Sequence, residues 1–340
     1  MSANTGRQLL ASSIVLLLLL IGVRPAEPRG QAHDEGTVEQ LLSLEARPFA
    51  IGHRGFGENL GSDPSRPIEN TVRSIRRAFL EGVSVIEVDV QLTRDGEVAV
   101  FHDDFLADFT CLNQLTLDEL QQREPEVPSL QAVLNQVRLF NQSAGPLRGL
   151  AIIELKSAAP LCDPDDTQEH AVVSAVTGVI VHMSMTKEVM LTSLSPALLY
   201  LAEAEAPEIV RILSISGLQF LSAAEVEAAL GLPVRPIDKD LALGLQWAEI
   251  GFIFRLPAYR SLTEVLSTTA VVGARVVEAD LLFLSSAGAP FVRALQGLGL
   301  KVLGFTANDP AEWFFLESVG VDGIYTNDVA FGVRHQAPIP

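Results

Sequence analysis

FAIGH (49–53), ENTVRSIRRAFLEG (69–82) and VSVIEVDVQLT (83–93) follow one another, and their patterns decide the fold. The first is a short apolar run, read as a buried strand. The second places Val72, Ile75, Ala78 and Phe79 at helical spacing, and Gly82 stops it. The third is rich in β-branched residues and reads as another strand. Strand, helix, strand is the crossover unit of a parallel sheet.

The pattern continues outward. Asp95-Gly96 signals a hairpin turn, and EVAVFHD (97–103) is the returning strand. LAIIELK (150–156), VMLTSL (189–194), EIVRILSI (208–215), ARVVEADLLF (274–283), KVLGFT (301–306) and DGIYTN (322–327) read as further strands, most of them separated by helical stretches. About eight β/α units argue for a closed (β/α)8 TIM barrel, with a small inserted segment after the second strand. An open doubly wound sheet is the alternative. Residues 103–149 have loop and helix character, and residues 231–272 are not assigned.

The chain has 340 residues and 48% apolar composition, enough for one large α/β domain. Its formal charge of −18 argues against a broad nucleic-acid surface. An anionic substrate would need the charge reversed locally. Arg7 precedes an apolar run from Leu9 to Val23, short for a membrane span and suited to a signal peptide or N-terminal anchor. The expected organisation is a leader (1–32), a linker (33–46), a barrel domain (47–332) and a tail (333–340). Export is expected, periplasmic or secreted, with membrane contact through the N-terminal segment only. Cys111 and Cys162 are the two cysteines. In an oxidising compartment they could form one bridge, and two separate thiols are the other reading.

Active-site residues of such barrels sit at the C-terminal ends of strands. That rule selects His53, Arg54, Glu87, Asp89, His102, Glu154 and Lys156. Glu87 and Asp89, at i and i+2, share one face of a strand, as do Glu154 and Lys156. Two carboxylates among Val85, Ile86, Val88 and Val90 are costly to bury without a partner. Arginines could pair them. A divalent cation could also offset the repulsion, with Glu154 as a third ligand, and oxygen ligands suit Mg²⁺ or Ca²⁺. His53 and His102 are the histidines at strand ends. His33 lies in the linker, His335 in the tail, and His170 and His182 in helical stretches. Carboxylates, cations and two imidazoles together have what phosphoryl-ester cleavage needs.

HRG (53–55), ENT (69–71), EVDV (87–90), TRDGEVAVFHDD (93–104), VPSLQAVL (127–134), IELK (153–156) and GVDGIYTND (320–328) occur in one order. Over residues 49–330 the chain resembles the glycerophosphodiester phosphodiesterase family. The resemblance implies Glu87, Asp89 and Glu154 as metal ligands and His53 and His102 as the catalytic acid/base pair. It implies Arg54 and Lys156 as phosphate contacts. Glu69 is implied as a supporting residue that orients a ligand or His53, and Asn70 and Thr71 read as helix caps. Phe305 stands where the family has tryptophan, in a position that would line the leaving-group pocket. The loop from Phe56 to Ile68 is longer than in compact members.

The expected activity is metal-dependent hydrolysis of a glycerophosphodiester to sn-glycerol 3-phosphate and an alcohol. A lysophospholipase D-type phosphodiesterase is a second reading, with Phe252, Phe254, Leu256 and Tyr259 against a lipid tail. Ordinary burial preference favours reading these four as core residues instead. A non-catalytic phosphodiester-binding protein on the same fold is the third.

Overall fold

A computed structural model describes residues 37–45, 48–59, 63–143, 148–159, 161–165, 167–220, 259 and 261–337. In chain order the elements are α1 (Val38–Ser43), β1 (Phe49–Gly52), α2 (Val72–Glu81), β2 (Val85–Leu92), β3 (Val98–Val100), α3 (Leu117–Arg123), α4 (Leu130–Ser143), β4 (Leu150–Leu155), α5 (Glu169–His182) and β5 (Val189–Ser193). They continue with α6 (Pro196–Glu205), β6 (Val210–Ile215), α7 (Leu262–Val271), β7 (Val276–Asp280), α8 (Leu281–Gln296), β8 (Lys301–Ala307), α9 (Pro310–Val319), β9 (Gly323–Thr326) and α10 (Val329–His335).

The first crossover forms as its residues dictate. Thr71 caps α2 by accepting from the backbone N–H of Ser74, and Gly82 ends it in the left-handed region. Ile75, Ala78 and Phe79 face inward. β1 pairs in parallel with both β2 and β9, so the sheet closes on itself. Around the barrel the order is β1, β9, β8, β7, β6, β5, β4, β2, with β3 antiparallel on the outer part of β2. The closed (β/α)8 barrel follows, and the β3 hairpin with α3 is the segment inserted after the second strand.

Strand alternation sorts the core into two faces. Ala50, Ile86, Val88, Ala151, Ile153, Leu191, Leu213, Val277, Val302 and Ile324 pack outward against the helices. Phe49, Ile51, Val85, Leu150, Ile152, Met190, Ile212, Val276, Leu303 and Tyr325 form a separate cluster inside the barrel. Val38 and Leu41 of α1 belong to that inner cluster. The N–H of Val38 donates to Lys187 O, just before β5, at 2.8 Å. α1 therefore plugs the N-terminal end of the barrel.

Several boundaries differ from the sequence reading. Residues 38–43 were expected in a linker, but two apolar residues on one short helix suffice to plug a barrel end. Burying them contributes about 1.5–3 kcal/mol each. The expected tail also joins the domain: α10 reaches His335, Gln336 Oε1 accepts from Ala50 N at 3.0 Å, and Ala337 N donates to Pro48 O at 2.9 Å. The strand expected over 274–283 stops at Asp280, whose carboxylate caps α8 by accepting from Phe283 N. Tyr259 is buried in the core with its ring 5.6 Å from that of Phe220, so it is no lipid-facing residue. The leader, His33, Phe252, Phe254 and Leu256 lie outside the described residues. Among the described residues no helix is long and apolar enough to cross a membrane.

Candidate active site

Continuing each inward-facing row toward the C-terminal end of its strand replaces the apolar residues by polar ones. Ile51 leads to His53, Val85 to Glu87 and Asp89, and Ile152 to Glu154 and Lys156. The parallel register sets Asp89 beside Glu154. The barrel mouth is thereby furnished with the residues that the sequence singled out.

One oxygen each of Glu87, Asp89 and Glu154 lies within 4.8 Å of the others. Two cations stand among them. Lys156 Nζ is 3.0 Å from Asp89 Oδ1 and 3.2 Å from Glu154 Oε1. Arg54 Nε is 3.4 Å from Asp89 Oδ2, and Arg54 Nη1 pairs with Glu69 at 2.5 Å. Asn70 braces the same carboxylate: its Nδ2 donates to Asp89 Oδ2 at 2.8 Å, and its Oδ1 accepts from Asp89 N at 3.2 Å. Gly55 makes the turn after Arg54 at φ +90°, where a Cβ would lie 2.6 Å from Ser74 Oγ.

The electrostatics follow from burial and these pairs. Burial alone would raise the Asp89 carboxyl, but Lys156, His102 and Arg54 outweigh it and hold it well below its usual range. Burial, then Asp89 and Glu154, push Glu87 up. Burial carries Glu154 up to about 8 although Lys156 opposes the shift. Burial disfavours the charged form of Lys156, yet Asp89 and Glu154 keep its ammonium firmly protonated.

The residues present fit a divalent cation. Glu87 Oε2 accepts from Arg54 N at 3.0 Å, but its Oε1 is buried with no hydrogen-bond donor among the described residues. A buried carboxylate oxygen without a donor, on a residue clustered with two other carboxylates, is the kind of ligand atom that an oxygen-seeking cation would take.

The histidines are held differently. His53 Nδ1 lies 2.8 Å from Asn327 Oδ1. Burial, then Arg54, drive its pKa down to about 3, so the ring is neutral. His102 Nδ1 lies 2.7 Å from the Asp103 carboxylate. Burial and then Lys156 lower its pKa, while Asp89 and Asp103 oppose that shift. Gln91 holds the loop that carries it, donating to the carbonyls of His102 and Asp103 at 3.0 and 2.7 Å. A Cys111–Cys162 disulfide, Cα atoms 5.7 Å apart, joins this loop to the one that follows Lys156. Phe105, Cys111 and Ala159 pack around it, and Ala159 N donates to Asp104 Oδ1 at 3.0 Å.

Thus Glu87, Asp89, Glu154, Arg54 and Lys156 come together as expected, with both histidines beside them. Glu69 is joined to Arg54 rather than to His53, because the guanidinium reaches across the loop between them. Thr71 caps the helix, but Asn70 is turned inward at φ +55° and serves Asp89. Phe305 is half-buried on β8, packed against the inner barrel cluster and edge-on to Tyr325 at 6.0 Å. Sequence reasoning missed Asn70 as a site residue, and it missed Asp103, Asn327 and Glu278. Glu278 is buried, accepting from Thr192 Oγ1 at 2.7 Å and from the Tyr325 hydroxyl. Its signal was present, since EAD (278–280) repeats the spacing of EVD (87–89).

A closed parallel barrel with carboxylates, cations and imidazoles at its C-terminal mouth defines a (β/α)8 protein with a candidate metal and phosphate site. Comparison with known proteins makes this specific. The model of the glycerophosphoryl diester phosphodiesterase family matches residues 53–234 and 236–331, and the chain belongs to that family. It is 41% identical over 73 residues to a glycerophosphocholine phosphodiesterase of Eremothecium gossypii, covering 20% of this chain and 6% of that protein. It is 36% identical over 74 residues to a glycerophosphodiester phosphodiesterase of Caldanaerobacter subterraneus, covering 19% and 28%. The matched stretches thus span less than a third of the length of these curated relatives. Among solved structures, an Oleispira antarctica phosphodiesterase in complex with the product sn-glycerol-3-phosphate shares the fold at a TM-score of 0.58 and 20% identity, covering 84% of this chain and 94% of that one. The glycerophosphodiester phosphodiesterase of Thermotoga maritima does so at 0.56 and 18%, covering 86% and 99%.

Proposed function

We infer that this chain is an exported, metal-dependent phosphodiesterase that cleaves glycerophosphodiesters to sn-glycerol 3-phosphate and an alcohol. The observation that carries the reading is the donorless Glu87 Oε1 within a three-carboxylate cluster, flanked by Arg54, Lys156 and two histidines, in a chain of this family. Glu87, Asp89 and Glu154 would hold Mg²⁺ or Ca²⁺, which supplies charge stabilisation to the phosphoryl oxygens when bound. Arg54 and Lys156 neutralise those carboxylates and present N–H donors to the anionic phosphate. Of the two imidazoles, one accepts the proton of the attacking hydroxyl and the other donates one to the departing alcohol. The disulfide supports export, because such bridges persist in oxidising compartments.

The test is a panel of glycerophosphodiesters and lysophospholipids, assayed in chelator and then with Mg²⁺ or Ca²⁺. Release of sn-glycerol 3-phosphate that stops on chelation and returns with metal is expected. His53→Ala and His102→Ala should each lower turnover by roughly 10²-fold or more. Turnover of no glycerophosphodiester with either metal, or full turnover in excess chelator by metal-free protein, refutes the reading.

A further inference from the structure

Asn327 follows β9 and is 4% exposed. Its backbone N–H donates to Ala307 O at 3.0 Å, and its carbonyl accepts from Arg66 Nη2 at 2.8 Å. Its Nδ2 donates to Asn308 Oδ1 at 2.7 Å. Its Oδ1 lies 2.7 Å from the backbone nitrogen of Glu58 and 2.8 Å from His53 Nδ1.

The orientation of an amide is ordinarily a choice made from its surroundings. Here one neighbour decides it. The Glu58 backbone N–H can only donate, so the amide atom facing it is the oxygen. A carbonyl oxygen can only accept, so His53 Nδ1 must carry a proton. In a neutral ring the other nitrogen, Nε2, then holds the lone pair. Burial and Arg54 oppose the cation and outweigh the smaller pulls toward it from the Asn327 hydrogen bond and from Asp89.

The loop after β1 keeps this amide in place. Arg66 bridges Phe56 O at 2.7 Å and Asn327 O. Gly57, at φ +91°, lies so close that a Cβ there would be 2.3 Å from Asn327 O. A side chain clamped through its own backbone, and bonded at both amide atoms, has little freedom to turn away. An aspartate would also accept both N–H groups, but it would add a charge favouring the imidazolium. The neutral amide orients the ring without placing a full negative charge beside it, and its own pull toward the cation is smaller than the opposing effects of burial and Arg54.

The geometry points to Asn327 as a positioning residue that sets the tautomer of His53, keeping Nδ1 protonated and Nε2 as the ring's proton acceptor. This rests on the reading of His53 as an acid–base group. In the step it serves, the O–H bond of the attacking hydroxyl breaks as the Nε2–H bond forms. The new P–O bond forms while the bond to the departing alcohol breaks, and that oxygen takes its proton from His102. His53 then releases its proton to solvent and His102 regains one, so protons balance over the cycle.

The test uses the full chain labelled with ¹⁵N-histidine, with His53 identified by its loss in His53→Ala. At pH 7 the expected spectrum has a protonated Nδ1 and an unprotonated Nε2 for His53. A protonated Nε2, or averaged tautomers, overturns the proposal and needs no variant that might misfold. Asn327→Ala should average the tautomers and lower kcat by about tenfold or more, the scale of a misplaced base, with KM within about twofold. Asn327→Asp restores the acceptor and should return the single Nδ1-protonated tautomer wherever the ring is neutral, with the limb of the pH–rate profile that this base sets moved to higher pH by the added charge. Unchanged kcat and tautomer in Asn327→Ala, or averaged tautomers of the neutral ring in Asn327→Asp, overturns it. Full turnover by His53→Ala instead overturns the underlying acid–base reading, whatever tautomer the spectrum shows.

Discussion

Replacing both bridging cysteines (Cys111→Ser with Cys162→Ser) should cost stability and spare turnover. The bridge spans a sequence separation of 51 residues. Closing a loop of that size removes unfolded-state entropy of about 14 cal/mol/K, or about 4 kcal/mol at 25 °C. A domain of about 300 residues unfolds with an entropy near 0.6 kcal/mol/K, so the melting temperature should fall by about 6 °C. The native loops should keep their places, because other contacts join them. Ala159 N still donates to Asp104 Oδ1, Phe105 still packs on Ala159, and Gln91 still holds the His102 and Asp103 carbonyls. Turnover at 25 °C should therefore stay within about twofold, since the groups near substrate do not move. Thermal melts and steady-state assays on the double variant, beside wild type with and without reductant, measure both. An unchanged melting temperature refutes the entropic argument. A tenfold loss of kcat with the fold intact refutes the claim that the loops seat themselves without the bridge.

Three further outcomes are expected. Between about pH 5 and 8 the metal-free domain should lose stability, because Glu154, raised to about 8 when folded, keeps a proton that the unfolded carboxyl sheds near 4.5. A cation must displace that proton, and the one on Glu87 with it, so calorimetric metal affinity should rise at least about tenfold per pH unit in this window, and a flat affinity from pH 6 to 8 counts against it. A chain starting at Glu45 loses the α1 plug and about 3–6 kcal/mol of apolar burial, so it should melt several degrees below one starting at Glu35; equal melting temperatures would show the plug to be dispensable. Lys156→Met leaves Asp89 and Glu154 without their ammonium and should destabilise the metal-free protein by roughly 3–5 kcal/mol, with saturating Mg²⁺ or Ca²⁺ restoring much of it; no recovery of the melting temperature with metal would contradict the charge argument.

What the sequence made legible was local. The alternation of β2, the stripe of α2 and the order of the units fixed the barrel, because each is a property of neighbouring residues. The α1 plug escaped because six residues with two buried apolar positions are too few to show a period. Asn327 escaped for another reason: its partner His53 is 274 positions away, and only closure of β9 on β1 brings them together. The two E-x-D stretches make the same point. Glu87–Asp89 and Glu278–Asp280 have one spacing on similar strands. The first pair faces Arg54, Lys156 and an oxygen with no donor. The second is satisfied by Thr192, Tyr325, Ser216 and backbone N–H groups. Hydroxyl donors satisfy a carboxylate where it stands, whereas a donorless oxygen among like charges asks for a cation, and no reading of either stretch alone distinguishes them.

The charge balance at the mouth gives metal dependence a physical basis beyond family membership. Two buried carboxylates and the half-buried Glu154 face two cations, and one of those, Arg54, is shared with Glu69. The centre is thus negative when all three are ionised, in a chain whose net charge is already −18. A phosphodiester carries a further negative charge, and at short range and partial burial that repulsion is not screened away by salt. The metal-free site relieves itself by holding protons on Glu87 and Glu154, as their upward shifts indicate. Protonated carboxyls ease the repulsion but offer the phosphate no positive centre. A divalent cation would take the place of those two protons at equal net charge, but would gather that charge at one centre that a phosphoryl oxygen can approach, and would leave Arg54 and Lys156 free to turn donors toward the substrate. On this argument metal and phosphodiester bind with positive coupling. Isothermal titration of sn-glycerol 3-phosphate should show affinity at least about tenfold higher with saturating Ca²⁺ than in chelator, a coupling of about 1.4 kcal/mol. Equal affinity in the two conditions would mean that the two side-chain cations alone compensate the carboxylates.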